Sequence, residues 1–333
     1  MRSGELRTQN FANRSRLVTL KEYADSSKPQ CTLFSGILIV RLSLLILLSG
    51  AAGIAYSQQS VSGPDDLVYK TVADTNLIAH VFRPSGTSTS QPRPAIVLFH
   101  GGGWAIGSPD WVYDAAKRYA SFGAVTVAAQ YRLSDKNKFI TPIEALEDAR
   151  DVVRWMRRNA GELGIDPNHI AAYGISAGGH LAASLAFFDS RDKNQVSAVP
   201  NAALLISPAV SLGNDQFFQG LLGKRALAKD FSPDEQMAKV PPPTIIFNGS
   251  LDDLTPLEGA KHYCDRMNSL GGECELHAYE GVGHLFTRKQ PFSMSTFDPD
   301  QKAWADATAK GDDFLVRKGF LPEMHTRASQ PSK

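Results

Sequence analysis

From residue 58 onward, short apolar runs alternate with longer segments whose apolar residues recur at helical spacing. A mostly parallel sheet with helices on both faces produces that rhythm, so the pattern predicts an α/β fold. The runs at 95–99, 124–127, 170–173, 202–206 and 244–247 are nearly continuous in apolar residues, as strands buried on both sides are. Residues 66–70 and 76–83 read as an opening antiparallel pair, and 276–279 as a late strand. A helix is predicted from Ser108-Pro109, an N-cap residue followed by proline at the first helical position, toward Ser121. Leu146, Ala149, Val152, Val153 and Met156 mark another helix over 143–161, and a last one is predicted over 301–318. Between 211 and 241 the rhythm fails, through Phe217-Phe218 and Leu221-Leu222 to Pro241-Pro242-Pro243. A stretch that long without periodicity inside a domain spanning 58–323 reads as a small lid insertion. The polar residues 324–333 form a tail.

Residues 1–57 form a separate extension. An apolar stretch from Leu38 through Arg41 to Leu48 leads into small residues and Ala55-Tyr56-Ser57, a secretory signal pattern suited to cleavage before Gln58. The alternative is an uncleaved membrane anchor over 36–56, with Arg41 snorkelling. The lead before Arg41 is long for a signal, which raises a start near Leu38 as an expectation. The protein is thus expected to be secreted or periplasmic, or else anchored.

With 43% apolar and 21% charged residues and a formal net charge of +1, the composition is that of a globular protein. It excludes a disordered chain and lacks the basic excess of a nucleic-acid binder. Beyond residue 57 only Cys264 and Cys274 remain. Their spacing fixes no geometry, and they are read as two buried free thiols, with a disulfide as the alternative.

Gly174-Ile175-Ser176-Ala177-Gly178 lies where a predicted strand gives way to an Ala/Leu-rich helix, the setting of a nucleophile elbow. His100-Gly101-Gly102-Gly103-Trp104 follows another buried strand, and glycines there let backbone N–H groups turn toward a developing oxyanion. A dinucleotide fingerprint fails because Ile106 stands where glycine or alanine is needed. Past the strand at 244–247 come Asp252 and Asp253, and past the one at 276–279 comes Gly281-Val282-Gly283-His284. In this order His284 takes the proton of Ser176 and Asp252 holds the imidazole tautomer. The histidines at 80, 169, 262, 277 and 325 show no metal-ligand spacing, and neither a metal nor a cofactor is expected.

With these motifs, and with Tyr131-Arg132-Leu133 and Glu147-Asp148-Ala149, the stretch 94–320 resembles the α/β-hydrolase superfamily, specifically its hormone-sensitive-lipase-like and acetyl-esterase-like serine esterases. It departs from the family in Gln130, where Asp or Asn is usual, in Leu285-Phe286-Thr287 after the histidine, and across 211–241. The resemblance implies an α/β-hydrolase fold with Ser176 as nucleophile, His284 as base and Asp252 as acid. Asp252 is preferred to Asp253 because the family pattern sets the acid between Gly249 and Pro256. The implied oxyanion donors are the N–H groups of Gly102, Gly103 and Ala177. Arg132 and Asp148 are read as an ion pair steadying the elbow, His100 and His180 as structural, and Trp104 and Phe286, with Phe217 and Phe218, as candidates for the substrate pocket. The implied activity is hydrolysis of short-acyl esters, acetylated carbohydrates among them, through an acyl-enzyme. An amidase or peptidase on the same residues and a non-catalytic binding protein are the alternatives. The expected partner is a small-molecule or carbohydrate ester, with membrane contact only through an uncleaved N-terminus.

Overall fold

The computed structural model describes residues 58–86, 88–187 and 196–323, so the expected signal segment and the tail lie outside the described residues. β1 (Val61–Val72) and β2 (Thr75–Pro84) form the predicted antiparallel opening pair. The chain then alternates through β3 (Arg93–Phe99), α1 (Tyr113–Ser121), β4 (Val125–Ala129), α2 (Pro142–Arg158), β5 (Ile165–Ile175), α3 (Ala177–Ser184) and β6 (Ala202–Ile206). It continues through α4 (Gln216–Leu222), β7 (Thr244–Gly249), α5 (Leu257–Ser269), β8 (Cys274–Tyr279) and α6 (Gln301–Arg317). The eight strands make one sheet in the order β1-β2-β4-β3-β5-β6-β7-β8, parallel from β4 to β8.

β4 and β6 are buried at every position and β7 likewise, which explains their unalternating apolar sequence. Two apolar layers cover the sheet. One packs α2, α3, α5 and the inner side of the 211–241 segment, and the other packs α1 and α6. α2 opens on a capping box: the Thr141 N–H donates to the Glu144 carboxylate at 2.7 Å, while the Thr141 hydroxyl accepts from Ile143 N–H.

Two expectations need correction. The helix predicted from Ser108 starts as a 3-10 turn over Pro109–Val112, in which Trp111 N–H donates to Ser108 O, and regular helix begins only at Tyr113. The cysteines are bridged, not free: Cys264 on α5 and Cys274 at the start of β8 form a disulfide with Cα atoms 5.2 Å apart. The tight reversal after α5, closed by Gly272 N–H on Met267 O, lays that helix face over the next strand. The 211–241 segment contains α4 and a 3-10 turn, and Phe218, Leu222 and Met237 from it are core residues. Its outer side is tied to α2 by Arg225 and Glu144 at 2.7 Å.

Candidate active site

All the candidate residues lie at the carboxyl end of the parallel strands, where open α/β sheets place their sites. Ser176 joins β5 to α3 with φ 54° and ψ −120°, a left-handed conformation that lifts its side chain off the sheet. The turn closes this tightly because position 178 is glycine: a Cβ there would lie 2.2 Å from the Phe99 carbonyl oxygen. Oγ of Ser176 lies 3.0 Å from Nε2 of His284, and Nδ1 of His284 lies 2.9 Å from Oδ2 and 3.1 Å from Oδ1 of Asp252. His284 and Asp252 are buried, whereas Asp253 is exposed. Of the two neighbouring acids, the structure therefore brings Asp252 to the histidine.

The Asp252 carboxylate is fully engaged. Its Oδ1 also accepts from the N–H groups of Leu254 and Thr255, and its Oδ2 accepts from the Thr255 hydroxyl at 2.9 Å. Thr255 and Ser207 escaped the sequence reading. A polar residue at the carboxyl end of a buried strand, as Ser207 is after β6, was the available signal.

Gly102, Gly103 and Ala177 line the same cavity as Ser176, and their N–H groups have no acceptor among the described residues. Gly102 has φ +111°, and a Cβ on it would lie 2.1 Å from the Ile106 carbonyl oxygen. The loop is braced from behind. The Tyr131 hydroxyl donates to His100 O at 2.9 Å, and the next residue, Arg132, donates to Asp148 through Nε at 2.7 Å and through its backbone N–H at 3.0 Å. Lys70 from β1 adds a contact to Asp148 at 2.7 Å. The expected ion pair exists, with further bonds to Lys70, Glu144 and Glu147, and it adjoins the glycine loop only through Tyr131, the neighbour of Arg132.

His100 and His180 are structural, as expected. His180 accepts from the Trp104 indole at 3.1 Å through Nδ1 and donates to Phe231 O at 2.9 Å, while His100 stacks on Tyr131. Burial pushes both imidazoles down to about 4, so both stay neutral at ordinary pH.

The cavity has a volume of about 430 Å³ and is mostly apolar. Trp104, Phe217, Phe292, Met294 and Phe297 are among its lining, and among the described residues Asp215 is the one carboxylate that lines it. Phe292 packs edge-on against His284 at 5.0 Å. Phe286 does not line the cavity: Leu285 and Phe286 are both left-handed, and this turn sends Phe286 into the core against Tyr279 and Trp304, leaving Leu285 on the cavity wall. Phe218 is likewise core, packed on Trp104 at 4.8 Å. Among the described residues no cluster of ligands could hold a metal ion.

A family model described as alpha/beta hydrolase fold matches residues 96–222. Esterase LipC of Mycobacterium tuberculosis is 26% identical over 224 residues, which cover 59% of this chain and 54% of LipC. The chain thus spans about half the length of that relative. Among solved structures, the apo form of Thermogutta terrifontis esterase 2 superposes with a TM-score of 0.70 at 33% identity, covering 78% of this chain and 97% of that one. The butyrate-bound form of the same esterase gives a TM-score of 0.69 at 32% identity, covering 78% and 96%. With 33% identity and a superposition that covers 97% of such an esterase, the chain belongs to the α/β-hydrolase superfamily, beside its hormone-sensitive-lipase-like esterases.

Proposed function

We propose that the protein is a serine carboxylic-ester hydrolase acting through an acyl-enzyme. The observation that carries the reading is the unbroken chain from Asp252 through His284 to Ser176 at the floor of an apolar cavity. The Asp252 carboxylate keeps the imidazole proton on Nδ1, so that Nε2 is free to take the Ser176 proton as Oγ attacks the ester carbonyl. The oxyanion that forms is held by the N–H groups of Gly102, Gly103 and Ala177, and His284 then gives its proton to the departing alcohol oxygen. Water activated on Nε2 releases the acid in the second half.

For the substrate, esters with a short acyl group are proposed. The likeness to an esterase solved with propionate and with butyrate bound supports this reading. The aromatic and aliphatic lining favours an apolar alcohol over a sugar, so acetylated carbohydrates are the less favoured substrates. Export is proposed as well. The signal-like segment ending at 57 supports it, as does the Cys264–Cys274 bridge, since disulfides persist in oxidising compartments.

A series of p-nitrophenyl esters from acetate to palmitate, assayed with the wild type and Ser176→Ala, tests the reading. Turnover should fall with acyl length and drop by at least about 10³-fold in the variant. A folded wild type without turnover, or an active Ser176→Ala, would overturn it.

A further inference from the structure

The loops that follow β6, β7 and β8 meet at the site, and one buried residue of the first is bonded to the other two. Ser207 is fully buried and left-handed, with φ 44°. Its N–H donates to Phe247 O at 2.7 Å, its carbonyl accepts from the Thr255 hydroxyl at 2.9 Å, and its own hydroxyl accepts from Leu285 N–H at 3.1 Å. A non-glycine residue stays in that region only where its surroundings over-determine it, and such residues gather at functional sites.

We propose that Ser207 and Thr255 are positioning residues, a buried polar tie that sets the Asp252 loop and the His284 loop in register with each other. The inference rests on the roles given above to Ser176, Asp252 and His284. The Thr255 hydroxyl has one proton and three polar neighbours: Asp252 Oδ2 at 2.9 Å, Ser207 O at 2.9 Å and His284 Nδ1 at 3.1 Å. The ionised carboxylate is the strongest acceptor of the three and takes the larger share of the proton, with the Ser207 carbonyl as the second arm of a three-centre bond. Oδ2 is then shared between that hydroxyl and the imidazole N–H, while Oδ1 is held by two backbone N–H groups. Four donors on two oxygens leave the carboxylate a single orientation toward Nδ1. The Thr255 carbonyl is itself held by Asn248 Nδ2 at 3.0 Å, so the hydroxyl is carried on a fixed backbone. On the other side, the Ser207 hydroxyl pins the amide of Leu285, the residue directly after His284.

The test is kcat, KM and the pH–rate profile of the full chain on a short-acyl p-nitrophenyl ester, for the wild type, Thr255→Val, Thr255→Ser and Ser207→Ala. Thr255→Val should lower kcat by about 10- to 100-fold with KM changed less than about twofold. Its acid limb should also move up by about half a pH unit, because a carboxylate with one donor fewer holds the imidazolium more strongly. Thr255→Ser, which keeps the hydroxyl, should return kcat to within about threefold of wild type. Ser207→Ala, which frees the Leu285 amide, should lower kcat by less than Thr255→Val does. Should the valine variant fail to fold, Thr255→Ala is read in the same way. An unchanged kcat and pH profile in the hydroxyl-free variant, or a serine variant as impaired as the valine one, overturns the positioning role. Absence of turnover in the wild type would remove the esterase reading itself, whereas an active wild type with an unaffected Thr255→Val removes only the tie.

Discussion

Gly102 has space for a hydrogen and for nothing larger, since a methyl group there meets the Ile106 carbonyl oxygen at 2.1 Å. Gly102→Ala must therefore shift the turn that carries two of the three N–H groups assigned to the oxyanion. It is expected to lower kcat/KM by about 10²- to 10³-fold, against a small change in KM. Full activity in the variant would mean that these amides do not bind the oxyanion. The two buried histidines give a second prediction at this scale. His100 and His180 stay neutral down to about pH 4 in the folded protein but take up protons near 6.5 once unfolded. Between those values the unfolded chain binds more protons, so stability rises with pH across the window and is fully present above it. Denaturant unfolding from pH 7 to pH 4 should show a loss of up to about 3 kcal/mol for each histidine, and His180→Gln should flatten the curve. The serine, the histidine and the glycines stood out because they sit beside strand ends in the chain order of the α/β-hydrolase architecture, whereas the choice of Asp252 over Asp253 came from the family pattern. Ser207 and Thr255 were not legible, since the bonds of Ser207 to Thr255 and Leu285 join residues 48 and 78 apart in the chain. Phe286 was misassigned because two successive left-handed residues reverse the side on which it would otherwise have faced.

Among the elements, the strands were the most legible, because burial on both faces leaves an uninterrupted apolar run that turn residues bound. α1 was drawn too early, because proline at the first position suits a 3-10 turn as well as an α-helix, and the choice depended on tertiary contacts. The 211–241 segment gave no period for a different reason: α4 has only seven residues, too few to display one. Segments are also joined by a buried ionic cluster. Asp148 on α2 is fully buried and gathers Arg132 from the end of β4 and Lys70 from β1, each at 2.7 Å. Removing one partner of such a cluster leaves its cations uncompensated, so Asp148→Ala should destabilise the fold by about 3–5 kcal/mol. Arg132 adjoins Tyr131, which holds the glycine loop by its hydroxyl, so kcat/KM should fall too in whatever fraction remains folded. A variant as stable as wild type by urea denaturation would show that the cluster is not an anchor.

At the scale of the whole molecule, the sheet has a chemical end and an arrival end. Every candidate catalytic group follows the carboxyl end of β3, β5, β7 or β8. The first described residues sit at the opposite end, where Gln59 N–H donates to Ser121 O, the last residue of α1 before β4 begins. The seven residues of β3, at ~3.3 Å each, set these ends about 20 Å apart. Among the described residues, the glycine loop, the 211–241 segment, the loop after His284 and Trp304 of α6 all contribute to the cavity lining, and every residue given a catalytic role lies within 58–323. The site is therefore expected to be complete without the N-terminal extension. Protein comprising residues 58–333 should match the full chain in kcat/KM within about twofold on the short-acyl ester, with an unchanged acyl-length profile. A large loss, or a shift of the profile toward longer chains on truncation, would mean that the extension reaches past the sheet to the cavity. If activity holds, the reaction does not depend on residues 1–57.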